Sequence, residues 1–230
     1  MQVAILAGGL ASRLGYLTES RPKSLMMFKG KPFLEYQLEQ LRQAGIKDIV
    51  LCIGYLGEQI QECIGNGEKY GMHIRYSVEK TPLGTAGALR KAEPLLTDPF
   101  FTLYGDSYVF VDFGRIIRHF LSKDRLALMT VYRNYDRFDS SNTAFNGRIV
   151  TRYDKEVKTE DMVYIDYGVN VFRKQVLDMI PEGRSYSLGD IFRGLIATED
   201  LLAFEVEQRF YEIGSPQGLK DFRKFVGSAA

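Results

Sequence analysis

Two glycines, two cations and a strand-end carboxylate carry the first chemical signal in this 230-residue chain. Residues 6–14 read LAGGLASRL, and Arg21-Pro22-Lys23 follows. A glycine pair directly after a buried strand lets backbone amides approach phosphate oxygens closely. Arg13 and Lys23 stand ten positions apart on the loop after that strand, so both can converge on one phosphate cluster and clamp its oxygens. The bland alternative is a tight turn with two solvated cations; it would suffice for Gly8-Gly9 alone, but not for the whole set in this position. A second group spans Glu79 to Leu89, EKTPLGTAGAL. There Pro82, Gly84 and Gly87 make a turn that feeds a helix N-terminus, a setting for an anion or a nucleobase, although Thr85 alone would read as a helix cap. The third is Tyr104-Gly105-Asp106, whose aspartate could by itself be an ordinary turn cap.

The elements that must position these groups alternate. Val3 to Leu6, Asp48 to Ile53, His73 to Val78, Phe100 to Tyr104 and Leu126 to Tyr132 read as buried strands. Pro32 to Ala44, Gly57 to Ile64, Thr85 to Ala92 and Asp112 to Leu121 read as the helices between them. Such alternation implies a mostly parallel sheet with right-handed crossovers. Ligands of these sheets sit beyond the carboxyl ends of the strands, so the polar loops after Leu6, Val78 and Tyr104 should share one crevice. The second half changes character. A hairpin is expected over residues 142–153 around Asn146-Gly147. A strand from Tyr164 to Phe172 should be interrupted at Gly168, a helix should run from Ser187 to Ala197, and short strands should cover Leu202 to Val206 and Phe210 to Glu212. Gln217 to Phe225 should close the chain as a helix. No linker, repeat or low-complexity tract breaks the chain, so residues 1–230 are expected to form a single domain, the second half adding antiparallel strands and a lid.

The motifs resemble those of the nucleotidyltransferase family that activates sugars. Its hallmark is a first strand, then G-G-x-G-T-R-L and, after a short gap, P-K-P. Here stand Gly8, Gly9, Leu10, Ala11, Ser12, Arg13 and Leu14, then Pro22, Lys23 and Ser24. Ala11 replaces a glycine, Ser12 keeps the threonine hydroxyl, and Ser24 replaces the second proline. The resemblance implies a Rossmann-like three-layer α/β fold with a mostly parallel central sheet and a small antiparallel addition. It also implies a loop around a nucleoside triphosphate built from Leu6, Ala7, Gly8, Gly9, Ser12 and Arg13, with Arg13 and Lys23 on phosphate oxygens. The P-L-G-T-A-G stretch would line the nucleobase and sugar pockets through Glu79, Pro82, Gly84 and Thr85. Gly105-Asp106 resembles the family's Gly-Asp, whose aspartate holds a divalent metal; magnesium suits a carboxylate with phosphate oxygens and waters. Tyr153-Asp154-Lys155 resembles an E-K-P element and residues 165–169 (IDYGV) an I-N-x-G-x element, so Lys155, Asp166 and Gly168 are expected at the sugar 1-phosphate, together with Gly105 and Asn142. Residues 210–216 (FYEIGSP) resemble a D-x-G-T-P element, so Glu212 would be a second metal carboxylate; its plain alternative is a surface charge at a strand end. Arg13, Lys23 and Asp106 are the expected catalytic residues.

Which base is used rests on Glu79. A carboxylate accepts two hydrogen bonds, and the guanine edge offers the N1–H and N2–H₂ donors side by side, whereas uracil offers one donor between acceptors. GTP is favoured on that ground, with a mannose- or heptose-type sugar 1-phosphate from the whole-chain resemblance. UTP, CTP and dTTP stay open.

Composition narrows the field. Hydrophobic residues make up 45% and charged residues 26%, with a net charge of +1, so no global field recruits nucleic acid or a membrane. The expected partners are a nucleoside triphosphate and a sugar 1-phosphate, and a homo-oligomer is compatible with the sequence. Two cysteines, Cys52 and Cys63, make no disulfide framework and fit a reducing, cytoplasmic setting; no signal peptide is expected before the strand at Gln2. Two histidines leave little room for a histidine metal site. A nicotinamide dehydrogenase should show G-x-G-x-x-G and an acidic second strand end, where this chain has Gly54. A glycosyltransferase would need the strand-end aspartate but not the Arg13 and Lys23 clamp. A non-catalytic sensor on the same fold is motivated by Ala11 and Ser24.

Overall fold

Strand residues in this chain alternate between two helix-covered faces, and that alternation builds three layers. The computed structural model describes residues 1–9, 15 and 20–228. Along the chain, β1 (Gln2–Leu6) is followed by a small hairpin of β2 (Met27–Phe28) and β3 (Lys31–Pro32), helix α1 (Phe33–Gln43), β4 (Asp48–Ile53), α2 (Gly57–Ile64), β5 (His73–Val78) and α3 (Gly84–Ala92). Then come β6 (Phe100–Tyr104), β7 (Ser107–Tyr108), α4 (Phe113–Leu121), β8 (Ala127–Arg133), β9 (Thr143–Phe145) and β10 (Val150–Tyr153). The chain continues through β11 (Tyr164–Phe172), α5 (Leu188–Ala197), β12 (Leu201–Val206), β13 (Tyr211–Glu212) and α6 (Pro216–Ser228).

The main sheet has the order β10-β9-β11-β6-β1-β4-β5, with β8 and then β12 also joined through β11. Parallel pairing joins β1 to β4 and β6, β4 to β5, and β12 to β8. Val3, Ile5, Ile49, Leu51 and Ile53 point into one core with Leu34, Leu38, Ile60, Ile116 and Phe120 of α1, α2 and α4. Their strand neighbours Ala4, Val50 and Cys52 point into the other, with Ala86, Leu89, Ile191, Phe192 and Leu195 of α3 and α5. Both faces are covered, which is why these strands read as continuous apolar runs. A third, aromatic cluster joins Phe28 and Phe33 to Phe222 of α6.

The main departure from simple alternation lies at β8. It does not join β6; the antiparallel strand β11 lies between them. The β11–β8 register slips between Asp166 and Asn170, where Gly168 adopts φ +96°, so the expected interruption is a bulge that aims residues at the cleft. The expected hairpin forms as β9 and β10.

Candidate active site

The carboxyl ends of β1, β4, β5 and β6 are tied together before any side chain acts. The Ala7 N–H donates to the Cys52 carbonyl at 2.8 Å, the Gly105 N–H to the Leu6 carbonyl at 2.9 Å, and the Glu79 N–H to the Ile53 carbonyl at 2.9 Å. Above them opens a cleft of about 300 Å³ whose walls include Gly8, Gly9, Lys23, Glu79, Pro82 and Asp106. Glu79 lies across two glycines: a Cβ at Gly8 would meet its Oε1 at 2.9 Å, and one at Gly54 its Cγ at 2.8 Å. Gly8 and Gly54 therefore make room for this carboxylate, whereas a Cβ at Gly9 would meet nothing within 4 Å. Glu79 Oε2 accepts the Leu83 N–H at 3.3 Å. Burial raises its carboxyl above the ordinary glutamate range, opposed by the Leu83 amide and Lys91.

Gly84 has φ +72°, and a Cβ there would lie 2.6 Å from the Tyr186 carbonyl oxygen, so the turn admits glycine alone. The Ala86 and Gly87 N–H groups both donate to that same carbonyl, at 3.0 and 3.2 Å. The start of α3 is thus partly closed by residues 184–187 and is not an open anion site. Thr85 ties in as well, its Oγ1 accepting the Leu188 N–H at 2.8 Å.

Asp106 sits at the hinge between two clefts. The Gln37 side chain, wholly buried on α1, donates to the carbonyls of Tyr104 at 2.8 Å and Ser107 at 2.7 Å, on either side of the turn. From the far side β13 pairs with β7, setting Glu212 opposite Ser107, and the Ile213 N–H donates to the Asp106 carbonyl at 2.9 Å. The Lys23 ammonium lies 2.5 Å from Asp106 Oδ2, with the two side chains 18% and 24% exposed. A cation already stands against this carboxylate, and a second carboxylate, Glu212, stands across the ribbon. Glu212 is fixed in turn by the Gly214 N–H at 2.5 Å and by the Ser215 hydroxyl.

The second cleft, about 440 Å³, has Asn142, Lys155, Asp166 and Glu212 on its walls. Asp166 is held by the Tyr104 hydroxyl at 2.9 Å and by the Gly168 N–H at 3.0 Å. Its own N–H donates to Asn142 Oδ1 at 3.0 Å. Burial raises the Asp166 carboxyl, with Lys155 the largest opposing influence. A third cleft, about 350 Å³, continues past Lys155 towards α5. Thr85 and Tyr104 line all three, so the clefts form one trough.

The structure thus brings Leu6, Ala7, Gly8, Gly9, Lys23, Glu79, Pro82, Gly84, Thr85, Gly105 and Asp106 to one cleft and Asn142, Lys155, Asp166 and Glu212 to the next. Gly168 lies against the side chains of Tyr104 and Ser107, where a Cβ would meet the Tyr104 ring at 3.1 Å; it is not among the residues lining either cleft. Ser12 and Arg13 lie outside the described residues. Sequence reasoning missed Gln37, which reads as one more residue of an amphipathic helix, though a polar residue amid Phe33, Leu34, Leu38 and Leu41 was the available signal. It also missed the Tyr104 side chain, which faces the trough from a strand that otherwise reads as core.

Comparison with known proteins bears on this arrangement. A family model described as nucleotidyl transferase matches residues 2–228. The chain is 33% identical over 229 residues to a mannose-1-phosphate guanyltransferase of Yarrowia lipolytica, covering 96% of this chain and 62% of that one. It is 27% identical over 223 residues to the D-glycero-alpha-D-manno-heptose 1-phosphate guanylyltransferase of Campylobacter jejuni, covering 96% of this chain and 98% of that one. Among solved structures, HddC from Yersinia pseudotuberculosis complexed with GMP-PN superposes with a TM-score of 0.79 at 24% identity, over 98% of this chain and 99% of that one.

Proposed function

Because the chain belongs to the nucleotidyl transferase family, we propose that it transfers a nucleotidyl group from a nucleoside triphosphate to a sugar 1-phosphate, releasing pyrophosphate. The observation that carries this reading is the Lys23–Asp106 pair at the junction of two continuous clefts. One cleft suits a triphosphate, the other a phosphorylated sugar, and the reacting groups would meet where the cation and carboxylate stand.

An oxygen of the sugar 1-phosphate attacks the α-phosphorus, and pyrophosphate departs in line. The attacking oxygen is already anionic near neutral pH, so catalysis comes from positioning and charge neutralisation instead of a strong base. The amides of Gly8 and Gly9 approach the phosphates, and the sequence motif assigns Ser12 and Arg13 to the same phosphates. Lys23 stabilises charge on the α-phosphoryl and leaving oxygens. Lys155 holds the phosphate of the sugar, while Asn142 and Asp166 accept or donate to its hydroxyls. A divalent metal fits Asp106 and Glu212: one carboxylate already holds a cation, the other stands across the ribbon, and both line the second cleft. Magnesium there would supply charge neutralisation at the phosphates.

GTP is the proposed donor and a mannose- or heptose-type sugar 1-phosphate the proposed acceptor. Glu79 in the first cleft supports the base, and both relatives named above are guanylyltransferases. The free Cys52 and Cys63 suit the reducing cytoplasm, and among the described residues no helix is long and apolar enough to cross a membrane. The test is competition among GTP, UTP, CTP and dTTP at equal concentration with one sugar 1-phosphate, the nucleotide sugars being separated by chromatography. A GDP-sugar should dominate; a dominant UDP-, CDP- or dTDP-sugar would overturn the base assignment and leave the reaction class standing.

A further inference from the structure

The inner face of α1 carries an amide where packing asks for a hydrocarbon. Phe33, Leu34, Leu38 and Leu41 share that face with Gln37, and their burial in the sheet core and the aromatic cluster already fixes the helix. Gln37 is wholly buried, and among the described residues its Oε1 has no hydrogen-bond partner. A buried acceptor left unpaired costs stability, and a methionine of similar size would fill the place without that cost. The fold alone therefore gives no reason for an amide at this position; its two N–H donors do.

Those donors bracket Asp106. Nε2 donates to the Tyr104 carbonyl and to the Ser107 carbonyl, so one planar group clamps the turn at two points with Asp106 between them. One turn along α1, the Gln40 side chain donates to the Val109 carbonyl. Among the described residues the helix thus grips residues 104–109 at three carbonyls. From the other side the Ile213 N–H donates to the Asp106 carbonyl. The main chain at Asp106 is held on both sides, while its carboxylate faces Lys23 and the two clefts. Without the Gln37 donors the turn loses two of its ties to α1, and the carboxylate shifts relative to Lys23 and Glu212.

We propose that Gln37 is a positioning residue for the reaction: through the Tyr104 and Ser107 carbonyls it sets where the Asp106 carboxylate meets the divalent metal. The proposal rests on the reading of Asp106 as a metal ligand in a nucleotidyl transfer.

The experiment compares wild type, Gln37→Met, Gln37→Glu, Asp106→Asn, and Gln37→Met combined with Asp106→Asn. Methionine keeps the volume and has no donor; glutamate keeps the shape and has at most one. Three quantities are read: Tm, the steady-state constants with GTP and a sugar 1-phosphate, and manganese(II) affinity. The last is followed by electron paramagnetic resonance with GTP present and no sugar phosphate, Asp106→Asn giving the background from metal held by the nucleotide alone. Gln37→Met should lower kcat about tenfold, as expected for a shift of about half an ångström in the reacting geometry. Its manganese affinity should fall about tenfold, the scale for losing a partner that orients a metal ligand, while KM for GTP stays within about twofold. Gln37→Glu should fall between wild type and Gln37→Met. In the Asp106→Asn background, Gln37→Met should change kcat by less than about twofold, because a residue that acts through Asp106 then has nothing left to position. Wild-type kcat or manganese affinity in folded Gln37→Met, or losses that multiply in the combined variant, would overturn the proposal and leave Gln37 a packing residue, whatever Tm does. Failure of both Gln37→Met and Gln37→Glu to fold would overturn it as well, by making the fold itself the role of Gln37. Full activity in Asp106→Asn would instead overturn the metal reading beneath it.

Discussion

Adding one methyl group at Gly105 should damage both the fold and the reaction. A Cβ at that position would lie 2.8 Å from the Leu6 carbonyl oxygen and 3.0 Å from both Cα and Cβ of Ala7. Those atoms belong to the end of β1 and to the residue just after it, and the Gly105 N–H is bonded to that same Leu6 carbonyl at 2.9 Å. No flexible side chain can yield, so β1 and β6 must separate at their carboxyl ends by roughly half an ångström to restore ordinary contact. Overpacking of this kind costs about 1–3 kcal/mol, while reduced freedom of the unfolded chain offsets about 0.4–1 kcal/mol. The middle of these ranges leaves a net loss of about 1–2 kcal/mol, so for a protein of this size Gly105→Ala should lower Tm by about 2–8 °C. Asp106 is the next residue and moves with the strand end. Since a displacement of about 1 Å in a reacting geometry costs about a hundredfold, a shift half as large should lower kcat by about tenfold. Calorimetry and steady-state pyrophosphate release read the two effects separately. A Tm within about 1 °C of wild type together with kcat within about twofold would refute the crowding argument.

Other substitutions probe the remaining parts. Lys23→Ala should lower kcat by roughly a hundredfold, about 2.7 kcal/mol, while nucleotide affinity measured by calorimetry falls much less; an unchanged rate would remove Lys23 from the transition state. Glu79→Gln should weaken GTP use more than UTP use, by about 1–3 kcal/mol, because an acceptor becomes a donor facing a donor; equal losses would take Glu79 out of the base pocket. Asp166 is raised above the ordinary aspartate range by burial, so the folded state holds its proton more tightly than the unfolded chain does. Its ionisation therefore costs stability as pH rises through the raised value, and the cost disappears below the ordinary range. Thermal melts of wild type and Asp166→Asn should accordingly show the wild type gaining on the variant from neutral into mildly acidic pH; parallel profiles would contradict the buried-carboxylate account.

Legibility followed the kind of signal each part carried. Strands β1, β4, β5 and β6 and helices α1 to α4 were readable because their apolar runs and turn residues are local, and Asp48 to Ile53 and Phe100 to Tyr104 end where the sequence pattern ends; the short β2–β3 hairpin was not. The carboxyl-end rule then grouped Gly8, Glu79 and Asp106 in one cleft without any coordinate. The place of β8 was not readable: its apolar run looks like another parallel strand, and only long-range pairing puts the antiparallel β11 between it and β6. Gln37 was hidden for a related reason. Its partners, the carbonyls of Tyr104 and Ser107, lie 67 and 70 positions away, so helical spacing alone could show no more than a polar residue on an apolar face.

One trough should join a nucleotide to a sugar phosphate. Its direct test is phosphorus NMR of the purified protein incubated with magnesium, GTP and a heptose or mannose 1-phosphate, with Asp106→Asn run in parallel. A GDP-sugar and pyrophosphate should appear in equal amounts, with Asp106→Asn reduced to less than about a tenth of wild type, a loss exceeding about 1.4 kcal/mol. GTP bound but unconverted, GTP hydrolysed without entry of the sugar phosphate, or full activity in Asp106→Asn would contradict it.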